Sequence, residues 1–497
     1  MPSMLDDARV ALVKDSPHYA QSPPFHPSER LPEWPDMIIS QEDNPAYRAI
    51  RELLRNLNLD SAHFGTQDWN PLGEIIQPGN IVVLKPNLVS HRNHGPETDT
   101  DSLVTHGSVI RTVLDYTAKA LQGCGKIIIG DCPIQGSNWQ KLCTLIGLNE
   151  IEKYFRTNFS NIELIIKDYR LGRAIMNGEQ VCERIVDIES ISHYLEIDLK
   201  EHSLLLPLMQ DSHEFGVSQY QRRRMRAAHT LQTNQYLMPK DLLYANVIIN
   251  LPKMKSHMKA GITGAMKNFV GINGHKDYLP HFRFGSPKQG GDEYPDGNLL
   301  WDLMWFCHHC DWELDRGRLK RLFNLAGRTC AKILRLYGYP KGFDSIGGGS
   351  WYGNDTLWRT VIDINRAFFY FDRKNQRLTD QLSPDVKYLA ILDGLVGGQK
   401  EGPLSPTPIT SAVMLAAFNP LALDSVAAAL MGFDIIKIKQ IWEAFSLTTL
   451  PLANFPVTEI EILSDLPQRS ISDIYQEKAY IPFQPSQGFL GQVEYLG

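Results

Sequence analysis

Residues 79–131 read GNIVVLKPNLVSHRNHGPETDTDSLVTHGSVIRTVLDYTAKALQGCGKIIIGD. NIVVLKPN is a continuous apolar run of strand length, and so is KIIIGD at the far end. Between them, 108–121 places Val109, Ile110, Val113, Leu114 and Ala118 on one helical face. Strands that are apolar on both faces, joined by a helix, form a parallel βαβ unit. Further apolar runs at 163–168 (ELIIKD) and 246–250 (NVIIN) extend the sheet. Beyond them the α/β pattern breaks and then returns. FGSPKQGGDEYPDG is a loop, and 299–313 and 319–337 are helical. A helix at 355–369, strands at 386–393 and 411–418, and helices at 421–431 and 434–445 follow. The expected fold is α/β: two lobes with a mostly parallel sheet, a cleft between them and a partly helical insertion. The expected boundaries are an N-terminal arm with one helix (1–75), a first α/β part (76–282), the insertion (283–354), and a second α/β part with a tail (355–497). Whether the two α/β parts share one sheet or face each other as domains is left open by the pattern.

At 497 residues the chain exceeds one ordinary core. Its 43% hydrophobic and 21% charged residues are globular proportions. A net charge of −6, with RRRMR at 222–226 as the one basic tract, argues against a nucleic-acid partner. No window approaches a membrane span. The first residues, MPSMLDDARVALVKDSP, carry acids where a signal peptide wants bases. The seven cysteines are too irregularly spaced for a disulfide framework or an iron–sulfur centre. A cytoplasmic protein with a small-molecule ligand is expected.

A polar group stands one step beyond each apolar strand. Lys85 and Asn87 follow IVVL, Asp131 follows IIIG, Asp168 follows LIIK, Asn250 follows VII and Asp393 follows LAIL. In a parallel sheet these positions gather along the edge where ligands bind, although Asp and Asn there also serve as caps and turns. The densest stretch is 246–281, NVIINLPKMKSHMKAGITGAMKNFVGINGHKDYLPH. It supplies Lys253, Lys255 and His257, then Gly261, Gly264, Lys267 and Asn268, then His275 and His281. Lys267 among other cations suits a neutral amine for base or covalent work, and equally an anion-binding point charge. Gly261 and Gly264 would let backbone N–H groups approach an anion. His257 and His281 are candidate metal ligands or acid–base groups. Asp292 and Glu293 in GGDEYP would bring carboxylates from the inserted loop. Cys307 and Cys310 lack the second pair that a zinc site requires. The stretch 394–410 is expected to be a long Gly/Pro loop over the site, and Asp424 to favour the first turn of its own helix.

These residues carry a resemblance. KPNLV (85–89), VTHGSVIRTVLDY (104–116), GDCPIQG (130–136), INLPKMKSH (249–257), GITGAMKNFVGI (261–272), LDGLVGGQKEGP (392–403) and NPLALDSVAAALMGFD (419–434) resemble the DUF362 family over about 80–450. HKDYLPH, GGDEYP and WYGNDTLWR resemble a longer form associated with bacterial polysaccharide gene clusters. The string His257-x3-Gly261-x2-Gly264-x2-Lys267 is similar to one in the nickel-pincer lactate racemases. That likeness implies nickel on His257, a cofactor held by Lys267, and His281 as a further imidazole. GDCPIQG lacks the histidine those racemases place there, and KPNLV replaces their arginine loop. The expected function is an enzyme acting on a small anionic or carbohydrate-derived substrate. Its Lys267 and His257 would move protons as in a racemase or epimerase, with Asp131 and Asp393 assisting. Lys85, Asn87, Lys253, Lys255, Gly261, Gly264, Asn268, Asp292 and Glu293 would bind the substrate. The alternatives are a non-catalytic phosphate-binding or assembly protein and a metal carrier.

Overall fold

The computed structural model describes residues 3–177, 180–209, 214–314, 317–337, 346–383 and 386–497. Ten strands build one sheet: β1 (Arg9–Lys14), β2 (Ile81–Pro86), β3 (Gly125–Asp131), β4 (Ile162–Asp168), β5 (Val247–Leu251), β6 (Lys253–His257), β7 (Gly261–Ile262), β8 (Lys387–Glu401), β9 (Ser405–Ala417) and β10 (Glu461–Leu463). The order is β10-β1-β9-β8-β5-β2-β3-β4, with β6 and β7 attached beside β8. From β8 to β4 every neighbour is parallel, while β9 runs antiparallel to both β8 and β1. The expected α/β class with a mostly parallel sheet is what the chain adopts. Its two α/β parts are halves of a single sheet, joined where β5 pairs with β8 through Val247↔Lys387 to Asn250↔Ala390.

Alternation along the strands makes three layers. Val82, Leu84, Ile127, Ile129, Val247 and Ile249 pack on one face, against α1 (Pro45–Asn56) and α2 (Gly107–Leu121). Val83, Ile128, Ile248 and Leu392 point to the other face. There the short helix α3 (Gly264–Asn268) and the helices α6 (Leu357–Phe369) and α7 (Pro420–Leu430) cover the sheet. Helix starts obey local chemistry. The His106 ring accepts the Ser108 N–H at the head of α2, and Asn419 accepts those of Leu421 and Ala422 ahead of Pro420. Outside the layers, α4 (Leu299–Glu313) and α5 (Arg318–Leu336) form the helical insertion, within a residue or two of their expected bounds.

Three expectations change. The arm before residue 75 contributes a strand, β1, whose few residues are too short a run to separate from loop by period alone. The stretch 394–410 is no loop: it is the outer half of the β8–β9 hairpin. Its prolines are tolerated because β1 pairs with β9 only from Val413 to Ala416, so Pro406 and Pro408 lie on an open edge. Asp424 does not serve its own helix. Its carboxylate accepts the N–H groups of Ala265 and, at 3.0 Å, Met266, and so caps α3.

Candidate functional site

The chain reaches the site at the carboxyl ends of β2, β3 and β5. Asn250 and Lys85 are register partners on neighbouring parallel strands, so both point to the face that α3 covers. Asn268, at the end of α3, ties them together. Its amide donates to Asn250 Oδ1 at 2.7 Å and to the Lys85 carbonyl at 3.2 Å. Its Oδ1 accepts from Asn87 at 2.8 Å and from Lys85 Nζ at 3.2 Å. Lys85 Nζ also pairs with Asp131 Oδ1 at 2.8 Å. Asp131 in turn takes the N–H of Leu88 at 2.6 Å and of Cys132 at 2.7 Å. Burial pushes the Lys85 amine below its ordinary value while Asp131 opposes the fall. Lys85 and Asp131 therefore form a saturated, buried ion pair that shapes the wall.

A second network lies along β6 and β8. Lys253 and Asp393 are register partners, both wholly buried, with Nζ 3.0 Å from Oδ2. Tyr19, from the N-terminal arm, donates to Asp393 Oδ1 and accepts from Lys253 Nζ at 2.7 Å. The backbone N–H of His106 completes the carboxylate at 3.0 Å, and the His106 ring stacks on Tyr19 at 4.2 Å. With every acceptor taken and no exposure, Asp393 is placed to hold Lys253 rather than to meet a ligand. Tyr19 was invisible to the sequence reading, since an aromatic residue in a Pro-rich arm carries no periodic signal, and His106 entered only within the string VTHGSVIRTVLDY, with no role of its own.

The remaining cations have no such compensation. Lys255 Nζ is buried and donates only to neutral groups: Asn87 Oδ1 at 2.9 Å and the carbonyls of Leu103 at 2.5 Å and Pro403 at 3.4 Å. Burial, and then Lys253 and Lys267, hold its pKa well below the ordinary lysine value. Lys267 makes no hydrogen bond or ion pair among the described residues and keeps partial solvent exposure. Burial first, then Lys276, Lys259 and Lys85, push its amine down to about 7, with Asp131 the opposing charge. Lys259 falls to about 8 through burial, with Glu293 opposing, and its Nζ donates to the Gly348 carbonyl at 2.5 Å. Among the described residues the Lys276 amine donates only to the Val270 carbonyl, at 3.3 Å. Lys259 and Lys276 were not singled out in the sequence, although both lie in the dense stretch.

His257 and His281 complete the cluster. Burial and the field of Lys267, then of Lys259, keep His257 neutral; burial, Lys259 and Lys267 do the same for His281. Their hydrogen bonds fix opposite tautomers. His257 Nδ1 accepts the Lys259 N–H at 3.1 Å, so Nε2 carries the proton. His281 Nδ1 donates to the Leu279 carbonyl at 2.7 Å, which leaves Nε2 with a free lone pair. A divalent metal does not fit this donor set. The Nε2 of His257 is the protonated nitrogen, the nearby charges are lysines, and no group of three His, Cys, Asp or Glu among the described residues could hold an ion.

Other expected residues stand elsewhere. Gly261 and Gly264 have positive φ, and a Cβ on either would strike Ile438 or the Asp424 carboxylate, so they serve a turn and close packing rather than an anion cradle. Asp292 accepts the N–H groups of Arg283 at 2.5 Å and Asp355 at 2.9 Å and the Thr356 hydroxyl at 2.6 Å, pinning the inserted loop to the start of α6. Glu293 is buried against His309 at 2.7 Å and reaches the cluster only through its field on Lys259. His275 pairs with Asp277 and with Arg224 at 2.8 Å. Two surface hollows, of about 420 Å³ beside Trp139 and Arg156 and about 330 Å³ beside Trp358 and Lys439, are lined by none of Lys255, Lys259, Lys267 and Lys276.

The carboxyl edge of the parallel sheet in this α/β protein thus gathers surplus lysines and neutral imidazoles. Residues 213–429 match the family model DUF362, "Domain of unknown function (DUF362)", so this part of the chain is similar to that family. The match takes in β5 to β9, with Lys253, Lys255, His257, Lys267 and Asp393, while Lys85, Asn87 and Asp131 lie outside it. No curated protein matches the chain. The likeness to nickel-pincer lactate racemases gains no support from the match.

Proposed function

We propose that the protein is an enzyme that acts on a small anionic or carbohydrate-derived substrate at this edge, by proton transfer of the racemase or epimerase kind. The observation that carries the reading is Lys267: a partly buried residue whose amine has no hydrogen-bond or ion-pair partner among the described residues, surrounded by cations and beside two imidazoles held neutral. Lys255, Lys259 and Lys276 supply the field that attracts a phosphate or carboxylate. With a pKa of about 7, Lys267 is neutral in roughly half the molecules at neutral pH and suits a general base. Its amine takes the proton from a carbon beside a carbonyl. The electron pair moves onto the carbonyl oxygen, which the His257 Nε2–H steadies, and the proton returns to carbon from either face. A cytoplasmic location agrees with seven cysteines in no disulfide.

Incubating hydroxy acids, keto acids and sugar phosphates in heavy water tests this. Wild-type protein should place solvent deuterium at the carbon next to the carbonyl, read by mass spectrometry. Lys267→Arg keeps the charge but stays protonated, so exchange should fall by roughly 10²–10⁴ while the anion still binds. Equal exchange in both proteins rejects the role of Lys267. A second reading is a non-catalytic anion-binding protein, favoured by the fully fixed hydrogen bonds of Lys255. It predicts binding without exchange in the wild type.

A further inference from the structure

Away from the lysine cluster, the inserted α4–α5 hairpin carries a surface that none of the described residues covers. On α4, Leu299, Leu303 and Phe306 recur at helical spacing on the exposed side, with Leu299 87% exposed. On α5, Leu319, Leu322, Leu325 and Leu336 form a second exposed stripe, continued by Tyr337 at 80% exposure. The Phe306 and Phe323 rings meet at 6.4 Å, where the two helices pack together. The inner face is packed separately, through Trp301, Met304, Trp305, Cys330, Ala331 and Leu334. The outer leucines are therefore not needed to close the hairpin.

Charge says what this surface fits. Helix α5 holds Arg318, Lys320, Arg321, Arg328, Lys332 and Arg335 and no acidic residue. Lys320 is buried at the Asp311 carbonyl, but Arg318, Arg321, Arg328 and Lys332 are exposed and make no ion pair among the described residues. At 100° per residue, Arg321 and Arg328 flank the leucine stripe on the side away from the buried face. The acids of α4 are engaged inward: Asp302 with the Tyr294 hydroxyl at 2.9 Å, Asp311 with Lys320 at 3.5 Å, and Glu313 with Arg222 at 2.5 Å. A second copy docking face to face would bring basic residues against basic residues. Among the described residues no helix is long and apolar enough to cross a membrane, so the hairpin would lie on a bilayer rather than span it.

We propose that the α4–α5 hairpin docks the protein on an anionic lipid surface, its leucines entering the acyl boundary and its arginines meeting the headgroups. The proposal is independent of the chemistry at Lys267.

The full chain is sedimented with vesicles of phosphatidylcholine alone and with vesicles enriched in phosphatidylglycerol. Wild-type protein should bind the second and be released by salt. Arg321→Gln with Arg328→Gln should weaken that binding about thirtyfold, from roughly fivefold per basic side chain at an anionic surface. Leu322→Ser with Leu325→Ser should weaken it on the order of tenfold per leucine. Circular dichroism on heating should match the wild type for both; if the leucine pair fails to fold, the arginine pair and the salt dependence decide. No binding to anionic vesicles, or binding indifferent to both pairs, overturns the proposal. So does a wild-type dimer in sedimentation equilibrium that Leu322→Ser with Leu325→Ser dissociates while vesicles capture nothing.

Discussion

Replacing Lys267 by methionine should make the protein more stable, and only on the acid side. The amine titrates at about 7 in the folded chain against an ordinary 10.5. Below pH 7 it is protonated folded and unfolded alike, but only the folded chain bears the cost of that charge among other cations. The cost shrinks as pH rises from 7 to about 10.5, where the unfolded lysine also loses its proton. At about 1.4 kcal/mol per tenfold change in the proton equilibrium, the ceiling is roughly 5 kcal/mol. The partial exposure of Lys267 cuts this to about 2–3 kcal/mol by solvent screening. With an unfolding entropy of about 2.1 cal/mol/K per residue, that is a rise in Tm of about 2–3 °C at pH 6. Methionine nearly matches the volume of lysine, so packing changes little. Calorimetry or urea unfolding at pH 6 and pH 10 checks the sign and its disappearance. A variant less stable than the wild type at pH 6, or a gain that persists at pH 10, refutes the account of an uncompensated amine.

Asp393→Asn should cost about 3–5 kcal/mol, because it leaves Lys253 charged and buried; Lys253→Met with Asp393→Leu should recover most of that in denaturant titrations. Gly271→Ala should disrupt the Lys85–Asp131 pair, since the new Cβ would stand 2.4 Å from Asp131 Oδ1 and 2.8 Å from Lys85 Nζ; lost anion binding by calorimetric titration with inorganic phosphate would be the readout. Asp424→Ala removes the cap of α3 and should cost about 1–2 kcal/mol, with faster amide exchange at Ala265 and Met266. Inorganic phosphate should raise the Tm of the wild type more at pH 6 than at pH 9, because Lys267 and Lys259 carry their charge only at the lower pH.

The parallel sheet was legible because β2, β3 and β5 are buried on both faces and their apolar runs are unbroken. Helix α2 was legible from the period of its apolar residues. The gathering of Lys85, Asn87, Asp131 and Asn250 at one edge followed from strand ends alone. Which of them remain available to a ligand did not, because saturation is a tertiary property. Asp393 looks like Asp131 in the sequence, yet Tyr19 and His106, hundreds of residues away along the chain, remove it from reach. The glycines of the dense stretch misled for the same reason: a positive φ beside a ligand and one beside Ile438 or Asp424 spell the same letter. The β8–β9 hairpin was hidden because proline and glycine are the residues that an open edge tolerates.

The position of β5 at the centre of the sheet limits how the protein can be divided. One flank of β5 is β8, inside the family-matched segment, and the other is β2, outside it. Excising residues 213–429 would bare a long hydrophobic parallel edge, an invitation to aggregation. It would also strip Lys255 of its bonds to Asn87 and Leu103. The lysine-bearing segment is thus no self-sufficient module: its cations are tolerable only while strands from the earlier half of the chain surround them.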